Sequence, residues 1–333
     1  MKQPPSSVAA FSIIMPAYNA EAYIARAIAS AERQKGGGWQ LVIADDASSD
    51  GTAAIAREAA MRDPRIIHLR LPANTGSPCM ARREAARAAS APYVVELDAD
   101  DMLADGYLRA MAARIDATGA DVGCPSMIWA DPAGLPSGPR LPDAEVDTAA
   151  VISGTRALAR TIGRWRIGLN GIAVRRELYL QSYSRMPDCT AMCADELLSR
   201  IQLSMASSVA FALEARYLYR QNPGQITRHP SARVLHDVLR TQCGVADLCA
   251  DGYPTRAAER RMAQAALARC IIYTASELAR TPGADYSPVA GALRHLRLAE
   301  AAAAFPGAIR LAVGPRALMG AMRLKHKLRP PKP

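Results

Sequence analysis

Three carboxylates fall within four residues at Asp98-Ala99-Asp100-Asp101, directly after the apolar run Tyr93-Val94-Val95-Glu96-Leu97. A run ended this way reads as a buried strand that delivers negative charge to one point. Like charges crowd together when something positive sits between them. A divalent cation holding a diphosphate fits, because Mg²⁺ or Mn²⁺ takes one or two carboxylates and fills its remaining positions with phosphate oxygens and water. The same residues also suit an acidic helix start, with Asp101 or Asp105 capping a helix through Leu108 and Met111.

The chain ahead of this cluster sets out the elements that must position it. Phe11 to Met15 is a short β-branched run stopped by Pro16, and Ala17-Tyr18-Asn19 leads into Ala20, Ile24, Ala27, Ile28 and Ala31 at helical spacing. Trp39 to Ala44 repeats the pattern, running into Asp45-Asp46-Ala47-Ser48-Ser49-Asp50-Gly51-Thr52 and a helix over about 53–61. A third strand, Ile66 to Leu71, precedes Asn74-Thr75-Gly76 and a helix over 80–89, and the fourth strand ends at Asp98. Strands alternating with helices predict a mostly parallel sheet with right-handed crossovers. In such sheets ligands collect beyond the carboxyl ends of the strands, where four polar loops converge: Pro16 to Asn19, Asp45 to Asp50, Asn74 to Gly76 and Asp98 to Asp101.

These segments, Ser12 to Asn19, Asp45 to Thr52, Asn74-Thr75-Gly76, Ala81-Arg82 and Leu97 to Asp101, resemble in order and spacing the pattern of the family 2 glycosyltransferases. The resemblance covers roughly the first 230 residues. It implies an α/β GT-A fold, a Rossmann-like, mostly parallel sheet flanked by helices. It also implies transfer of a sugar from a nucleotide diphosphate donor, with inversion, to a carbohydrate or lipid-linked saccharide hydroxyl in surface polysaccharide assembly.

Carried over by position, Pro16, Ala17 and Tyr18 would line the nucleobase pocket. One carboxylate of the Asp45-Asp46 pair would accept a hydrogen bond from the base, which suits the N3–H of uracil and a UDP-linked donor. An Asx-type turn from Asp46 to Gly51 is the structural alternative. Asn74, Arg82 and Asp98 complete the nucleotide set. Arg83 and Ala85 depart from the family pattern, and Arg82, Arg83 and Arg87 could instead form a solvated basic face. Asp98 and Asp100 match the element that holds Mg²⁺ or Mn²⁺, with Asp101 assigned to capping or support before ligation. The acidic pair in Cys193-Ala194-Asp195-Glu196-Leu197 resembles the family's base-bearing helix start. It makes Asp195 the base and Glu196 the runner-up; two acids favouring a helix N-terminus, worth about 0.3–1 kcal/mol, is the alternative. His229 could be a further metal ligand beside a phosphate-gripping Arg228, or a polar surface residue. Asn170-Gly171 sits toward the acceptor side or simply opens a strand.

Composition agrees with a folded enzyme. The 333 residues are 50% hydrophobic, enough for a core filled mainly by Ala, Leu, Ile and Met, since there are only three Phe and three Trp. Seven scattered cysteines without C-x-x-C spacing read as reduced thiols of a cytoplasmic protein. No secretory pattern opens the chain. Pro/Gly-rich Asp131 to Pro142 reads as an exposed loop. Residues 231–333 form a helical extension, with helices expected over 258–278 and 290–304, that could cover the acceptor side or mediate dimerisation. The net charge is +10, and 306–333 carries seven Lys and Arg and no acid. Interleaved with Ile309, Leu311, Val313, Leu318 and Met322, this basic segment could lie on the anionic inner face of a membrane, or pack as a terminal helix with a solvated end. Nucleic acid is disfavoured because the tail lacks stacking aromatics. A nucleotidyltransferase that makes sugar nucleotides is a second reading, weakened by the absence of a Gly-rich, Lys-bearing loop after the first strand. A catalytically silent nucleotide-binding module is a third, suggested by Ala194, Arg83 and Ala85.

Overall fold

The computed structural model describes residues 11–35, 38–163, 166–187, 189–222, 231–250, 257–280, 283–313, 318 and 322. In chain order the elements are β1 (Phe11–Ala17), α1 (Ile24–Glu32), β2 (Trp39–Asp45), α2 (Thr52–Arg62), β3 (Ile66–Arg70), α3 (Pro78–Ala88), β4 (Tyr93–Glu96), β5 (Met102–Leu103), α4 (Tyr107–Thr118), β6 (Val122–Ala130) and β7 (Pro136–Leu141). There follow α5 (Gly154–Ala159), β8 (Ala173–Arg175), α6 (Arg176–Ser182), α7 (Ala194–Met205), β9 (Val209–Arg220), α8 (Ala232–Ala250), α9 (Ala257–Leu278), α10 (Ser287–Ala292) and α11 (Leu298–Ala304).

Among the described residues nine strands form one sheet, in the order β3-β2-β1-β4-β8-β6-β9-β5, with β7 on β6. The first four strands pair in parallel, as the alternating pattern predicts, and β8 joins β4 antiparallel. Side chains alternate across the sheet as its period of two demands. Ile13, Met15, Leu41, Ile43 and Val95 point into a core shared with α1, α2 and α4. Ile14, Val42, Ala44 and Val94 point into a second core shared with α3, α5, α6 and α7. Each fully buried branched side chain contributes about 1.5–3 kcal/mol, so the two layers fix the sheet and hence the strand ends.

β1 runs through Pro16 to Ala17 rather than stopping at the proline. Ile14 still accepts a bond from Leu97 N on the β4 side, but β4 ends at Glu96, so at Pro16 no partner on that side is left to miss an N–H. Pro136 to Leu141, expected as a loop, is instead an exposed strand antiparallel to β6. As an edge strand it tolerates prolines, because only one side of its backbone is paired. The helix after the acidic cluster starts at Tyr107 on Gly106, and neither Asp101 nor Asp105 caps it; Asp105 pairs with Arg33 at the surface. Asn170-Gly171 opens β8. Gly171 sits at φ +71° with its backbone against the Tyr217 ring, where a β-carbon would lie 2.3 Å from the ring, so it is a close-packed strand start.

The C-terminal helices build a third core from residues such as Leu235, Leu239, Leu267, Ile271 and Leu278. The helix expected over 290–304 is broken in two, α10 and α11. On its other face α8 gives Val245 and Cys249 to the core beneath α7, so the extension is packed onto the sheet domain. None of the seven cysteines is in a disulfide. The basic residues beyond Arg310 lie outside the described residues, and no described helix is long and apolar enough to cross a membrane.

Helix α7 is seated by close backbone approach. A β-carbon on Gly154 of α5 would lie 2.0 Å from the Leu203 carbonyl oxygen and 2.3 Å from that of Ala206. Gly154→Ala is therefore expected to cost about 1–3 kcal/mol, as overpacking does, measured as a lower midpoint in urea unfolding with unchanged slope.

Candidate active site

The loops after β1 and β2 clasp each other. Asn19 N donates to Ser48 Oγ (3.1 Å), Ser49 N donates to Asn19 Oδ1 (2.9 Å), and Asp46 N donates to the Ala17 carbonyl (2.8 Å). Asn19 and Ala47 take positive φ, 48° and 58°, a strain that these bonds must hold. Asp45, with no exposed surface, closes the turn through Ser48 N (2.9 Å) and pairs with Arg70 (2.5 Å). Burial works against its charge, but the bonds from Ser48 and the Arg70 guanidinium leave its acid strength above the ordinary. The turn-closing carboxylate is thus Asp45, and the turn runs to Ser48 rather than from Asp46 to Gly51. Asp46 bonds Thr75 N and Thr75 Oγ1, both at 2.9 Å, and its carbonyl accepts from Asn74 Nδ2 (3.2 Å). The Asp46 carboxylate therefore carries the third loop. Pro16 and Ala17 are buried at the end of β1, while Tyr18 is 53% exposed and lies free beside these loops.

Beyond β4 the three aspartates divide. Asp101 is buried and spends both oxygens inside the protein, accepting from Tyr217 Oη (2.7 Å) and Arg220 N (2.9 Å). Its amide also closes the turn onto the Asp98 carbonyl. It shapes the turn. Asp100 accepts from Asn222 Nδ2 (3.2 Å) through Oδ2, and its carbonyl accepts from Arg220 Nε. Asp98 pairs through Oδ1 with Arg82 (2.5 Å). Among the described residues Asp98 Oδ2 and Asp100 Oδ1 are left without a bond. Burial, and then repulsion from the neighbouring carboxylates, makes Asp100 and Asp101 weaker acids than usual. Two free oxygens in a site with unrelieved negative charge suit a hard divalent cation that keeps places for phosphate and water. No group of three or more His, Cys, Asp or Glu placed to hold a metal ion occurs among the described residues. His229 and Arg228 lie outside them.

Arg82, 3% exposed on α3, is the hub. Besides Asp98 it faces Glu96 Oε2 at 3.4 Å and Asp195 Oδ2 at 3.5 Å. Asp195 stands in the first turn of α7 and keeps a third of its side chain exposed; burial of the remainder raises its pKa, and Arg82 partly opposes that. Glu196 turns aside to Arg200 (3.3 Å) and Gln242 Nε2 (3.5 Å). The two candidate bases thus separate: Asp195 joins the acidic edge and Glu196 anchors α7. Arg83 and Arg87 pair with Glu84, and Arg87 is exposed, so the basic face exists but excludes Arg82.

Several site residues carried no signal strong enough to name them from sequence. Glu96 is the clearest: it is an acid at a fully buried strand position, and that mismatch was legible. Tyr217 and Arg220 of β9, with Asn222 just beyond it, support the aspartates from more than a hundred residues away. Helix α8 reaches the same edge: Arg233 donates to the Gly76 carbonyl (3.1 Å), and buried Asp237 accepts from Met192 N (3.2 Å) in the loop before α7.

The mostly parallel part of the sheet thus presents paired carboxylates and a buried arginine at its carboxyl edge. The model of the family described as "Glycosyl transferase family 2" matches residues 12–177, and the chain belongs to that family. It is 39% identical over 111 residues to the succinoglycan biosynthesis protein ExoO of Rhizobium meliloti, a stretch that covers 33% of this chain and 31% of ExoO. The matched stretches span about a third to a half of the length of such curated relatives. The fold matches S. aureus TarS 1–349 in complex with UDP-GlcNAc with a TM-score of 0.68 at 18% identity, covering 94% of this chain and 89% of that one. It also matches the Pyrobaculum calidifontis mannosyltransferase PcManGT in complex with GDP-Man and Mn²⁺, with a TM-score of 0.52 at 17% identity over 97% and 90% of the two chains.

The Asp100 shift has a consequence for stability. A carboxyl that holds its proton more tightly when folded than when unfolded favours the fold at acid pH, and this contribution drains away as pH rises above the ordinary carboxylate range. Asp100→Asn removes the drain and keeps an acceptor for Asn222. In metal-free buffer the variant is expected to melt higher than the parent at pH 7, with a smaller loss of Tm between about pH 4 and 7. Added Mn²⁺ is expected to raise the Tm of the parent but not that of the variant.

Proposed function

We propose that this chain is an inverting glycosyltransferase. It moves a sugar from a nucleotide diphosphate donor, UDP-linked, to a hydroxyl of a saccharide or lipid-linked saccharide in cell-surface polysaccharide biosynthesis. The observation that carries this reading is the placement of Asp195, from α7, on the same arginine that holds Asp98, so that a base and a diphosphate site share one edge.

Pro16, Ala17 and Tyr18 form the wall for the nucleobase, with the exposed Tyr18 ring free to stack. Asp46 is the acceptor for the N3–H of uracil, since each of its oxygens makes one bond to Thr75 and keeps a second lone pair. Asn74 fixes the loop beside it. Asp98 and Asp100 would hold Mg²⁺ or Mn²⁺ through their free oxygens, and the ion would supply Lewis-acid neutralisation of the charge that builds on the diphosphate. Asp195 takes the proton of the acceptor hydroxyl while its oxygen attacks the anomeric carbon from the face opposite the diphosphate. The new C–O bond forms as the bond to the diphosphate breaks, so the configuration inverts. Partial burial suits Asp195 to this work, because a weaker acid is a stronger base. Asp101, held by Tyr217 and Arg220, keeps the turn in shape.

The UDP-GlcNAc-bound TarS fold supports the donor class, and the Mn²⁺-bound PcManGT fold supports the metal. This reading puts the chain in the cytoplasm, where sugar nucleotides are made, with its basic C-terminal segment against the inner face of the membrane.

Donor hydrolysis tests it. In a screen of UDP- and GDP-sugars with Mn²⁺, one donor is expected to raise Tm and to be hydrolysed, and EDTA abolishes turnover. Asp195→Asn is expected to lower kcat by about 10²–10⁴-fold while UDP still raises Tm as in the parent. UDP binding with no donor turned over would leave a silent binding module instead, and pyrophosphate release from a nucleoside triphosphate would mark a nucleotidyltransferase.

A further inference from the structure

The three guanidinium nitrogens of Arg82 face three different acids. Nη2 meets Asp98 Oδ1 at 2.5 Å, Nη1 meets Asp195 Oδ2 at 3.5 Å, and Nε meets Glu96 Oε2 at 3.4 Å. Two of these contacts are longer than a good hydrogen bond, so the group is held largely by the balance of charge around it. Asp98 and Asp195 open toward solvent, with 24% and 32% of their side chains exposed, whereas Glu96 is 9% exposed and lies behind the site. It has no line to a substrate.

Glu96 is nevertheless built in with care. Its other oxygen accepts from Tyr179 Oη (2.7 Å), and Tyr179 is wholly buried. The Tyr179 ring packs against Tyr183 at 5.8 Å, and Tyr183 Oη donates to the Cys79 carbonyl (3.1 Å) on α3, the helix that bears Arg82. A closed circuit thus ties β4, α6 and α3 around one carboxylate. An acid at a buried strand position, where an apolar side chain would serve the core, costs stability unless its charge is used.

The use follows from geometry. An arginine offered two carboxylates tends to settle bidentately on one of them. Here that would pull Arg82 wholly onto Asp98 or wholly onto Asp195, and each has separate work. A third anion on Nε removes the freedom to rotate. We propose that Glu96 is a positioning residue for glycosyl transfer: by engaging Nε of Arg82 it divides the two remaining nitrogens between Asp98 and Asp195, and so sets the spacing between the leaving diphosphate and the base. The inference rests on the transferase reading above.

The test uses the full chain and whichever donor is hydrolysed fastest among UDP-glucose, UDP-galactose, UDP-N-acetylglucosamine, UDP-glucuronate and GDP-mannose, with saturating Mn²⁺. Glu96→Gln removes the charge while keeping the volume and an acceptor for Tyr179. It is expected to stay folded with Tm equal to or above the parent, to keep donor KM within about twofold, and to lose about 10- to 100-fold in kcat, the scale of a misplaced reacting group. Tyr179→Phe, which keeps the charge and cuts the tether, lowers kcat in the same direction with KM unmoved. In an Arg82→Lys background Glu96→Gln adds no further loss, since the effect passes through the guanidinium. Unchanged kcat per folded molecule in Glu96→Gln overturns the inference, as does a fall in kcat that tracks KM and Tm together. Loss of turnover in Asp195→Asn alone, with Glu96→Gln at the parental rate, removes this inference and leaves the transferase reading standing. If no donor is turned over, both fall.

Discussion

One buried positive charge governs this site. Arg82 is the counter-ion for three acids delivered by two separate pieces of chain: Glu96 and Asp98 from the end of β4, and Asp195 from the start of α7. Without it Glu96, Asp98 and Asp195 would lose the guanidinium they share. A buried charge left uncompensated costs several kcal/mol. With it, the edge remains electrically open on one side only, at Asp98 Oδ2 and Asp100 Oδ1, where a cation and a diphosphate can complete the balance. The fold is the means of bringing these groups together. The alternating strands and helices place the acids, the two cores hold the strand ends still, and β9 reaches back to fasten Asp100 and Asp101.

The N-terminal half was largely legible in the sequence because its signals are local. Each strand is a short apolar run, each loop begins where the run stops, and the carboxyl-edge rule then collects the loops without knowledge of any contact. Asp98 and Asp100 stand where such a run stops, whereas only the resemblance to the family 2 glycosyltransferases singles out Asp195. What escaped was non-local. Nothing near Tyr217, Arg220 or Asn222 in the chain indicates that β9 will run alongside the acidic turn. The different fates of Asp45 and Asp46, or of Asp195 and Glu196, depend on which way a side chain faces in a fold that adjacent residues share. The Pro136 to Leu141 strand was hidden by its prolines, since composition alone does not distinguish a loop from an edge strand paired on one side.

Glu96 is an instructive case between these extremes. It sits inside the apolar run that leads to the acidic cluster, yet as a charge within an apolar strand it invites dismissal as noise. A residue that breaks a local rule at a buried position is where function is most economically sought, because the core gains nothing from it. The converse holds for Arg87, which breaks no rule, is exposed, and pairs with its helical neighbour.

The bonds from α8 to the Asn74–Gly76 loop and to the segment before α7 bear on how such enzymes diversify. Because Arg233 and Asp237 hold the Asn74–Gly76 loop and the loop before α7 at once, the helical extension cannot be exchanged as a free-standing cassette. A graft from a relative that begins after β9 would bring an unmatched α8 against native loops. A workable crossover has to fall earlier, ahead of Met192, so that Asp195, the helix carrying it and the helix bracing it travel as one inherited block.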